Sequence, residues 1–167
     1  MTRPSAERLV IRRATEDDGP ALGDVWLRSW RWTFDFPPAH PDDDVRRWLA
    51  TEMLPSHETW IATDPDDADR VVALMALSET MVGQLYVAPE WMGRGLGRRL
   101  IELAKARRPD GLDLWCFQVN TVARRFYERN GFVPVRFGDG STNEERQADI
   151  LYRWRPAGGV VPAEPPA

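Results

Sequence analysis

Three glycines alternate with other residues in the stretch PEWMGRGLGRRLIELA, at Gly93, Gly95 and Gly97. An apolar run at residues 85–87 precedes them and is typical of a strand, whereas the residues that follow have the apolar spacing of a helix. Backbone N–H groups of residues 93–98 could converge on an anion, because glycine has no Cβ and a helix N-terminus attracts negative charge. This pattern predicts a pyrophosphate site, and a tight turn without a ligand is the alternative.

Two familiar phosphate-binding loops do not match this stretch. A dinucleotide-binding loop requires G-x-G-x-x-G, but its last position falls on Arg98 when counted from Gly93 and on Leu100 when counted from Gly95. A Walker A loop ends in Gly-Lys-Ser/Thr, and here Gly97 is followed by two arginines. Three arginines in or beside the loop could add positive charge or simply face solvent: Arg94, Arg98 and Arg99.

A second candidate pair is Asn120 and Tyr127, which are seven residues apart in a predicted helix. Seven residues make about two helical turns, so both side chains would lie on one face and could contact one ligand. The alternatives are that Asn120 only caps the helix and that Tyr127 only packs in the core.

The small number of cysteine and histidine residues argues against a disulfide and a zinc site. One cysteine, Cys116, rules out an internal disulfide, and with only two histidines a zinc site is not expected, so no metal is predicted. Strand alternation gives Cys116 a packing role beside Leu114 rather than that of an acyl-cysteine nucleophile.

Eleven elements must position these residues. Apolar periodicity and helix breakers predict an α/β fold with one mixed sheet of about seven strands flanked by about four helices, in the order βααβββαβαββ. The expected strands are 7–13, 57–63, 70–78, 80–87, 112–119, 132–137 and 148–154, and the expected helices are 15–32, 43–54, 95–107 and 121–130. Residues 112–119 are largely apolar on both faces, which is typical of a central strand covered on both sides.

Length and composition narrow the class of protein. The 167 residues suit one domain, expected over residues 1–155, and the Pro- and Ala-rich stretch 156–167 is expected to be a disordered tail. A net charge of -4 argues against nucleic acid as a partner. No long apolar run indicates a membrane span, and the N-terminus lacks the apolar segment of a secretory signal, so we expect a cytoplasmic protein.

The two motifs together resemble those of a known family. The sequence LYV-x-PE-x-x-GRGLG at residues 85–97, followed by N-x-x-A-x-x-FYE-x-x-GF at residues 120–132, is similar to the GNAT superfamily of acetyl-CoA-dependent N-acetyltransferases. The resemblance extends over residues 7–154. One departure is Met92, where the family usually has Gln or Arg.

The resemblance implies a role for each matching residue. Backbone groups of the strand end would pair with the pantetheine arm of acetyl-CoA, the cosubstrate, and the glycine loop would hold its pyrophosphate. Tyr127 would protonate the departing thiolate as general acid. The residues implied in cofactor binding are Leu85, Tyr86, Val87, Gly93, Arg94, Gly95, Leu96, Gly97, Arg98 and Asn120.

The acceptor implied by the resemblance is a primary amine on a small molecule or a peptide. An alkylamine with a pKa of about 10.4 is almost entirely protonated at neutral pH, so a base must remove its proton. Some family members carry a glutamate for this at the position that is Trp115 here. Glu79 is the expected substitute, acting through water, and a surface turn residue is its alternative reading.

Aromatic residues crowd the first helix and the loop after it, the region that walls the acceptor site in this family. Trp30, Trp32 and Phe34 are the expected substrate-binding residues, and either Asp35 or the acidic residues Asp42 to Asp44 could attract an ammonium group. An enzyme of the acyltransferase class is therefore predicted. The alternative is a regulatory module that binds acyl-CoA without catalysis, and the oligomeric state stays open, a homodimer included.

Overall fold

Seven strands and four helical segments follow the predicted order along the chain. The structure is a computed structural model and describes residues 6–158. The strands are β1 (Val10–Arg13), β2 (Glu58–Asp64), β3 (Asp67–Leu77), β4 (Val82–Val87), β5 (Leu112–Phe117), β6 (Val133–Gly138) and β7 (Asp149–Trp154). The helices are α1 (Gly19–Thr33), α2 (Asp42–Trp48), α3 (Leu54–Ser56), α4 (Leu96–Arg107) and α5 (Thr121–Arg129). A π-helical stretch, Leu49–Met53, joins α2 to α3 into one segment, so the α/β class and the order βααβββαβαββ are confirmed.

The strands form two antiparallel sheets, which corrects the expectation of a single mixed sheet. One sheet has the order β1-β2-β3-β4 and the other has the order β5-β7-β6. Outside these ladders, an isolated parallel bridge joins Met81 to Asp113, whose N–H donates to the carbonyl of Thr80 at 2.9 Å. A single bridge does not continue a ladder, and the pairing therefore stops there.

β5 is an edge strand of its sheet and not the central strand that its apolar residues predicted. Its burial alternates: Leu112, Leu114 and Cys116 are buried, whereas Trp115 between them is 42% exposed. The sequence of β5 looked apolar on both faces because Trp115 lies on its solvent-facing side. β7 takes the central place, between β5 and β6.

The described chain divides into two compact units. The first contains the residues up to Ser78 together with Gly83–Leu100, and the second contains Glu79–Val82 together with the residues from Ile101 onward. The one-domain prediction for residues 1–155 stays a prediction. Of the predicted tail, residues 159–167 lie outside the described part of the chain, as do residues 1–5.

Helix α1 supplies much of the core of the first unit. Leu22, Trp26 and Trp30 recur every four residues and are all buried, which is the apolar face expected of a helix that packs on a sheet. α1 packs on β3, where residues 71–77 are all buried. Each large apolar side chain buried in this way contributes about 1.5–3 kcal/mol of hydrophobic stabilisation.

The core of the second unit centres on β7. Ile150 and Tyr152 are fully buried, and Tyr127 of α5 packs its ring 6.2 Å from that of Tyr152. At the end of the strand, Arg153 donates two hydrogen bonds to the carboxylate of Asp113 on β5, at 2.9 and 2.8 Å. Across residues 6–158, the helices are too short or too polar to cross a bilayer.

Candidate functional site

The glycine loop has the backbone conformation that its sequence predicted. Gly93 and Gly95 have φ angles of 70° and 82°, in the left-handed region that favours glycine. A Cβ placed at either position would meet no atom within 4 Å. These glycines are therefore required by the backbone conformation and not by close packing. The space beside their Cα atoms is open.

Helix α4 begins directly after this loop and presents unused backbone donors. The N–H of Arg99 donates to the carbonyl of Gly95 at 3.1 Å, which is the first hydrogen bond of the helix. The N–H groups of Leu96, Gly97 and Arg98 precede it and therefore have no acceptor within the helix. No acceptor for these three groups exists elsewhere in residues 6–158. Together with the helix dipole they form an anion-binding arrangement.

The three arginines of the loop have different surroundings. Arg94 places its guanidinium 5.0 Å from the ring centre of Trp91. Arg99 donates to the backbone carbonyls of Ala6 and Leu9, so its charge is directed to the N-terminal segment. Arg98 is exposed and has no ion pair within the described chain. Of the three, Arg98 is the best placed to meet an anion at the start of α4.

An ion-pair network fixes the chain where it enters the loop. Glu90 accepts a hydrogen bond from Arg28 of α1 at 2.6 Å and another from Arg70 of β3 at 2.5 Å. Partial burial alone would raise the pKa of Glu90, but Arg28 and Arg70 outweigh it and hold the pKa below its usual value. The carboxylate thus ties the loop to two elements of the first unit.

Replacing Glu90 with glutamine should loosen this connection. We expect about 1 kcal/mol of lost stability, as for a partly exposed ion pair, and about threefold to tenfold weaker binding of coenzyme A. Because the folded pKa of Glu90 is lowered, its contribution is fully present above the unfolded pKa of about 4.3 and is lost as the pH falls through the folded pKa. Urea unfolding at pH 7 and pH 3 and calorimetry with coenzyme A measure both effects. Glu102→Gln, on an exposed side chain of α4, is the matched control and should change neither.

β4 is the last strand of its sheet, so the outer edge of its backbone has no strand partner in that sheet. Leu85, Tyr86 and Val87 are half-buried on it. Tyr86 packs its ring 5.2 Å from that of Trp26, and the indole N–H of Trp26 donates to Gln84 at 2.9 Å. Sequence reasoning missed Gln84, because its partner lies 58 residues away on α1 and nothing local marks it.

The aromatic side chains after α1 form a continuous row. Trp30 stacks on Trp26 at 4.8 Å between ring centres and contacts Phe34 at 4.7 Å, and Phe34 contacts Phe36 at 4.9 Å. The indole N–H of Trp30 also donates to the carbonyl of Phe36 at 2.9 Å. Trp32 is not part of this row and is 71% exposed. It stands two residues after Trp30, roughly 200° around the helix, and therefore points away.

A surface depression of about 470 Å³ adjoins this row. Its lining consists of Arg31 and residues 34–42. The expected acidic residues differ here: Asp42 forms an ion pair with Arg31 at 2.5 Å, whereas Asp35 is exposed. Phe34 and Asp35 are therefore brought together at this depression, and Trp32 is not.

In the second unit, α5 carries both members of the second predicted pair. Asn120 is the N-cap of the helix, and its side-chain oxygen accepts a hydrogen bond from the N–H of Ala123 at 3.1 Å. Tyr127 is 9% exposed, and its ring packs edge to face against Phe132 at 5.8 Å. Each residue thus has the structural role considered for it.

A neighbouring tyrosine that the sequence did not single out holds α5 in place. The hydroxyl of Tyr152 donates to Glu128 at 2.8 Å and accepts from Arg124 at 3.4 Å. Burial, together with the bond to Glu128, raises the pKa of Tyr152. Arg124 and Glu128 are one helical turn apart on α5, so Tyr152 fixes the turn from which Tyr127 projects.

Cys116 is a buried core residue, and burial raises its pKa to about 12. The thiol is therefore almost wholly protonated at neutral pH, whereas only the thiolate is a good nucleophile.

Cys116→Ala should leave turnover within about twofold of the unmodified chain, because no acyl-cysteine forms. Steady-state rates and mass spectrometry after incubation with acetyl-CoA test this expectation. A rate loss of more than tenfold in a folded variant, or an acetylated Cys116 in the parent chain, would contradict it.

Glu79, the base expected from the sequence, lies at the surface. Glu79 is exposed in the bend between β3 and β4, and no residue of the described chain pairs with it. Trp115, at the position where some family members carry a glutamate, lies under the guanidinium of Arg136, 5.0 Å from its ring centre. Neither position shows a buried carboxylate.

The sequence is similar to a protein family model and to a known acetyltransferase. The family model for the acetyltransferase (GNAT) domain matches residues 55–134. The peptidyl-lysine N-acetyltransferase YjaB of Salmonella typhimurium is 32% identical over 122 residues, which cover 73% of this chain and 81% of that protein.

The fold is also similar to those of solved N-acetyltransferase structures. The solution structure of apo YjaB from Escherichia coli superposes with a TM-score of 0.72 at 26% identity and covers 87% of this chain and 97% of its own. The PaiA N-acetyltransferase of Thermoplasma acidophilum, in complex with coenzyme A, has a TM-score of 0.67 at 17% identity and covers 88% of this chain and 98% of its own. The second match shows the shared fold alone.

Proposed function

The chain belongs to the GNAT family of N-acetyltransferases, and from that premise we propose that it moves an acetyl group from acetyl-CoA directly to a primary amine. The observation that supports this most is the set of backbone donors at Leu96, Gly97 and Arg98, beside two glycines with positive φ. A diphosphate needs such converging donors, and the open space above the loop admits one.

Binding of the coenzyme follows from two features of the first unit. The glycine loop, with Arg94 and Arg98 beside it, would hold the pyrophosphate, and the outer edge of β4 at Leu85, Tyr86 and Val87 would pair with the amide groups of pantetheine. The backbone of an edge strand can pair with an added extended chain in this way. Asn120, beyond its capping role, would contribute a side-chain contact from α5.

Proton transfer to the leaving group is assigned to Tyr127. A thiolate leaves more readily when a phenol protonates its sulfur as the C–S bond breaks. The surrounding aromatic rings would fix the phenol in one orientation. Because Cys116 is protonated at neutral pH, direct attack of the amine on the thioester is the simpler route than an acyl-enzyme.

The acceptor is proposed to be the side chain of a lysine in a peptide, or a small amine of similar shape. The peptidyl-lysine activity named for YjaB supports the first. In this chain, the depression beside Phe34 and Phe36 would take the body of the acceptor, and exposed Asp35 would attract its cation. Trp30 of the aromatic row would support the wall, and Trp32 would contact only an acceptor that extends over the surface.

A regulatory acyl-CoA-binding module is the second candidate, and the tryptophan at position 115 favours it because no carboxylate stands there. Calorimetry with acetyl-CoA and with coenzyme A, followed by release of free thiol with a panel of lysine peptides, polyamines and amino acids, separates the two. Turnover with any amine supports the enzyme. Micromolar binding without thiol release supports the module, and absence of binding contradicts both.

A further inference from the structure

We propose that His57 is the proton acceptor for the amine, taking one proton from the ammonium group at its Nε2 atom. This inference rests on the proposed function and adds a catalytic residue that the family resemblance did not supply. It depends on three observations in the first unit: the hydrogen bonds of Nδ1, the nearness of Nε2 to the side-chain position of Gly83, and the uncharged partners of the ring.

The hydrogen bonds of His57 define which ring nitrogen carries the proton. Nδ1 lies 2.9 Å from the hydroxyl of Ser56 and 3.2 Å from the carbonyl oxygen of Met53. The Met53 carbonyl can only accept, so a hydrogen on Nδ1 satisfies that contact. The Ser56 hydroxyl has two carbonyl acceptors for its proton, Glu52 at 2.5 Å and Met53 at 3.2 Å, and can then accept from Nδ1. These contacts favour the neutral tautomer with its hydrogen on Nδ1. Nε2 is left with a lone pair that can accept a proton.

Nε2 is directed to β4, the strand proposed to hold the thioester. It lies 3.5 Å from the point that a Cβ on Gly83 would occupy. Gly83 is exposed, and any larger residue there would lie against the imidazole and cover it. Gly83 is two residues before Leu85, about 7 Å along an extended strand. An amine over this part of β4 would thus be close to the lone pair.

Within residues 6–158, the hydrogen-bond partners of the His57 ring are uncharged. The helical segment contributes the Met53 carbonyl and the Ser56 hydroxyl, and β4 contributes Gly83. The acidic residue next to it in sequence, Glu58, accepts from the indole N–H of Trp60 at 3.0 Å. The ring therefore makes no bond to a carboxylate within residues 6–158, and its Nε2 lone pair is available to a substrate ammonium.

The proposed step balances as follows. The ammonium gives one proton to Nε2 of His57, and the neutral amine then forms the N–C bond as the C–S bond breaks. Tyr127 gives its proton to the departing thiolate. The nitrogen still carries two protons after the N–C bond forms, and it loses one of them to the tyrosinate through solvent to become the amide. The imidazolium releases its proton to water, so one proton leaves for each ammonium consumed.

The test compares His57→Gln with the parent chain in rate against pH, using a lysine-type amine that the parent acetylates. We expect kcat/KM at pH 7 to fall by about 10²-fold or more, the typical contribution of a positioned base. The part of the pH dependence of kcat/KM that comes from loss of the proton from the base should disappear in this variant. Acetyl-CoA binding by calorimetry should stay within about twofold, which a general loss of structure would not allow.

The acidity of the acceptor gives a readout that a purely structural role would not change. An amine with a pKa of about 6, such as trifluoroethylamine, is largely neutral at pH 7 and needs no base. The defect of His57→Gln should therefore shrink at least tenfold for this amine, and added imidazole should restore part of the rate of His57→Ala with the lysine-type amine. An equal defect for both amines, without rescue, would overturn the proposal.

Two further variants separate the remaining outcomes. His40→Gln removes the other histidine of the chain and should keep the pH dependence, whatever its effect on affinity for the amine. Glu79→Gln tests the carboxylate predicted from sequence: loss of the pH dependence in this variant and not in His57→Gln would assign the base to Glu79 and overturn His57. If the parent chain acetylates no amine at all, the proposed function fails, and His57 fails with it. An active parent with an unchanged His57→Gln refutes His57 alone.

Discussion

Tyr127→Phe is expected to lower kcat by about 10²- to 10⁴-fold, the range for a lost general acid. Phenylalanine keeps the ring that packs against Phe126, Phe132 and Tyr152, so the core around α5 should be preserved. The loss is confined to the hydroxyl that would protonate the thiolate. The KM for acetyl-CoA and its dissociation constant should therefore stay within about twofold, because the hydroxyl acts on the transition state rather than on bound coenzyme.

The matched variant is Tyr152→Phe, which removes the hydroxyl of the adjacent buried tyrosine. There the bonds to Glu128 and Arg124 are lost, so we expect about 1–2 kcal/mol of lost stability and a fall in kcat of at most about fivefold. Single-turnover measurement of thiol release, with urea unfolding of both variants, distinguishes chemistry from packing. Equal rate losses in the two variants would mean that Tyr127 acts only through packing.

Local signals were sufficient to predict most of the elements. Apolar periodicity predicted α1 to within a few residues, and Pro109 and Gly111 correctly marked the end of α4 at Arg107. The division into two sheets was not predictable in this way. Strand pairing depends on contacts between residues that are distant in the sequence, such as Leu112 of β5 with Trp154 of β7, and no local pattern encodes it.

In the candidate site, too, features set by neighbouring residues could be predicted, whereas contacts between residues far apart in the sequence could not. Positive φ at Gly93 and Gly95 could be expected from sequence because glycine and a following helix are neighbours in the chain. The outward direction of Trp32 also follows from helical geometry, and counting 100° per residue from Trp30 would have excluded it from the aromatic row. His57 could not have been singled out in this way, because its imidazole faces a glycine 26 residues further along the chain.

Replacing Gly95 with alanine is expected to weaken binding of coenzyme A by about 10²-fold, which corresponds to losing one or two charge-assisted hydrogen bonds of about 1.5–3 kcal/mol each. A residue with a Cβ disfavours the left-handed conformation by about 1–2 kcal/mol, so the backbone at this position tends to rotate away from it. Rotation turns the N–H groups of Leu96 and Gly97 away from their common focus. The added methyl group also enters the open space where the phosphate would approach.

Gly158→Ala separates these effects from simple backbone strain. Gly158 has a φ of 91°, and a Cβ there would also meet no atom within 4 Å, so the two substitutions are alike in conformation and in packing. Gly95→Ala should lower the free energy of unfolding by about 1 kcal/mol, measured in urea, and Gly158→Ala should lower it less, because it lies in the stretch expected to be a tail. Only Gly95→Ala should change the Kd for coenzyme A in calorimetry, because only that glycine precedes unused donors at a helix N-terminus. Unchanged affinity in Gly95→Ala would mean that the loop does not hold the diphosphate, and the acetyltransferase mechanism would then lack its binding site.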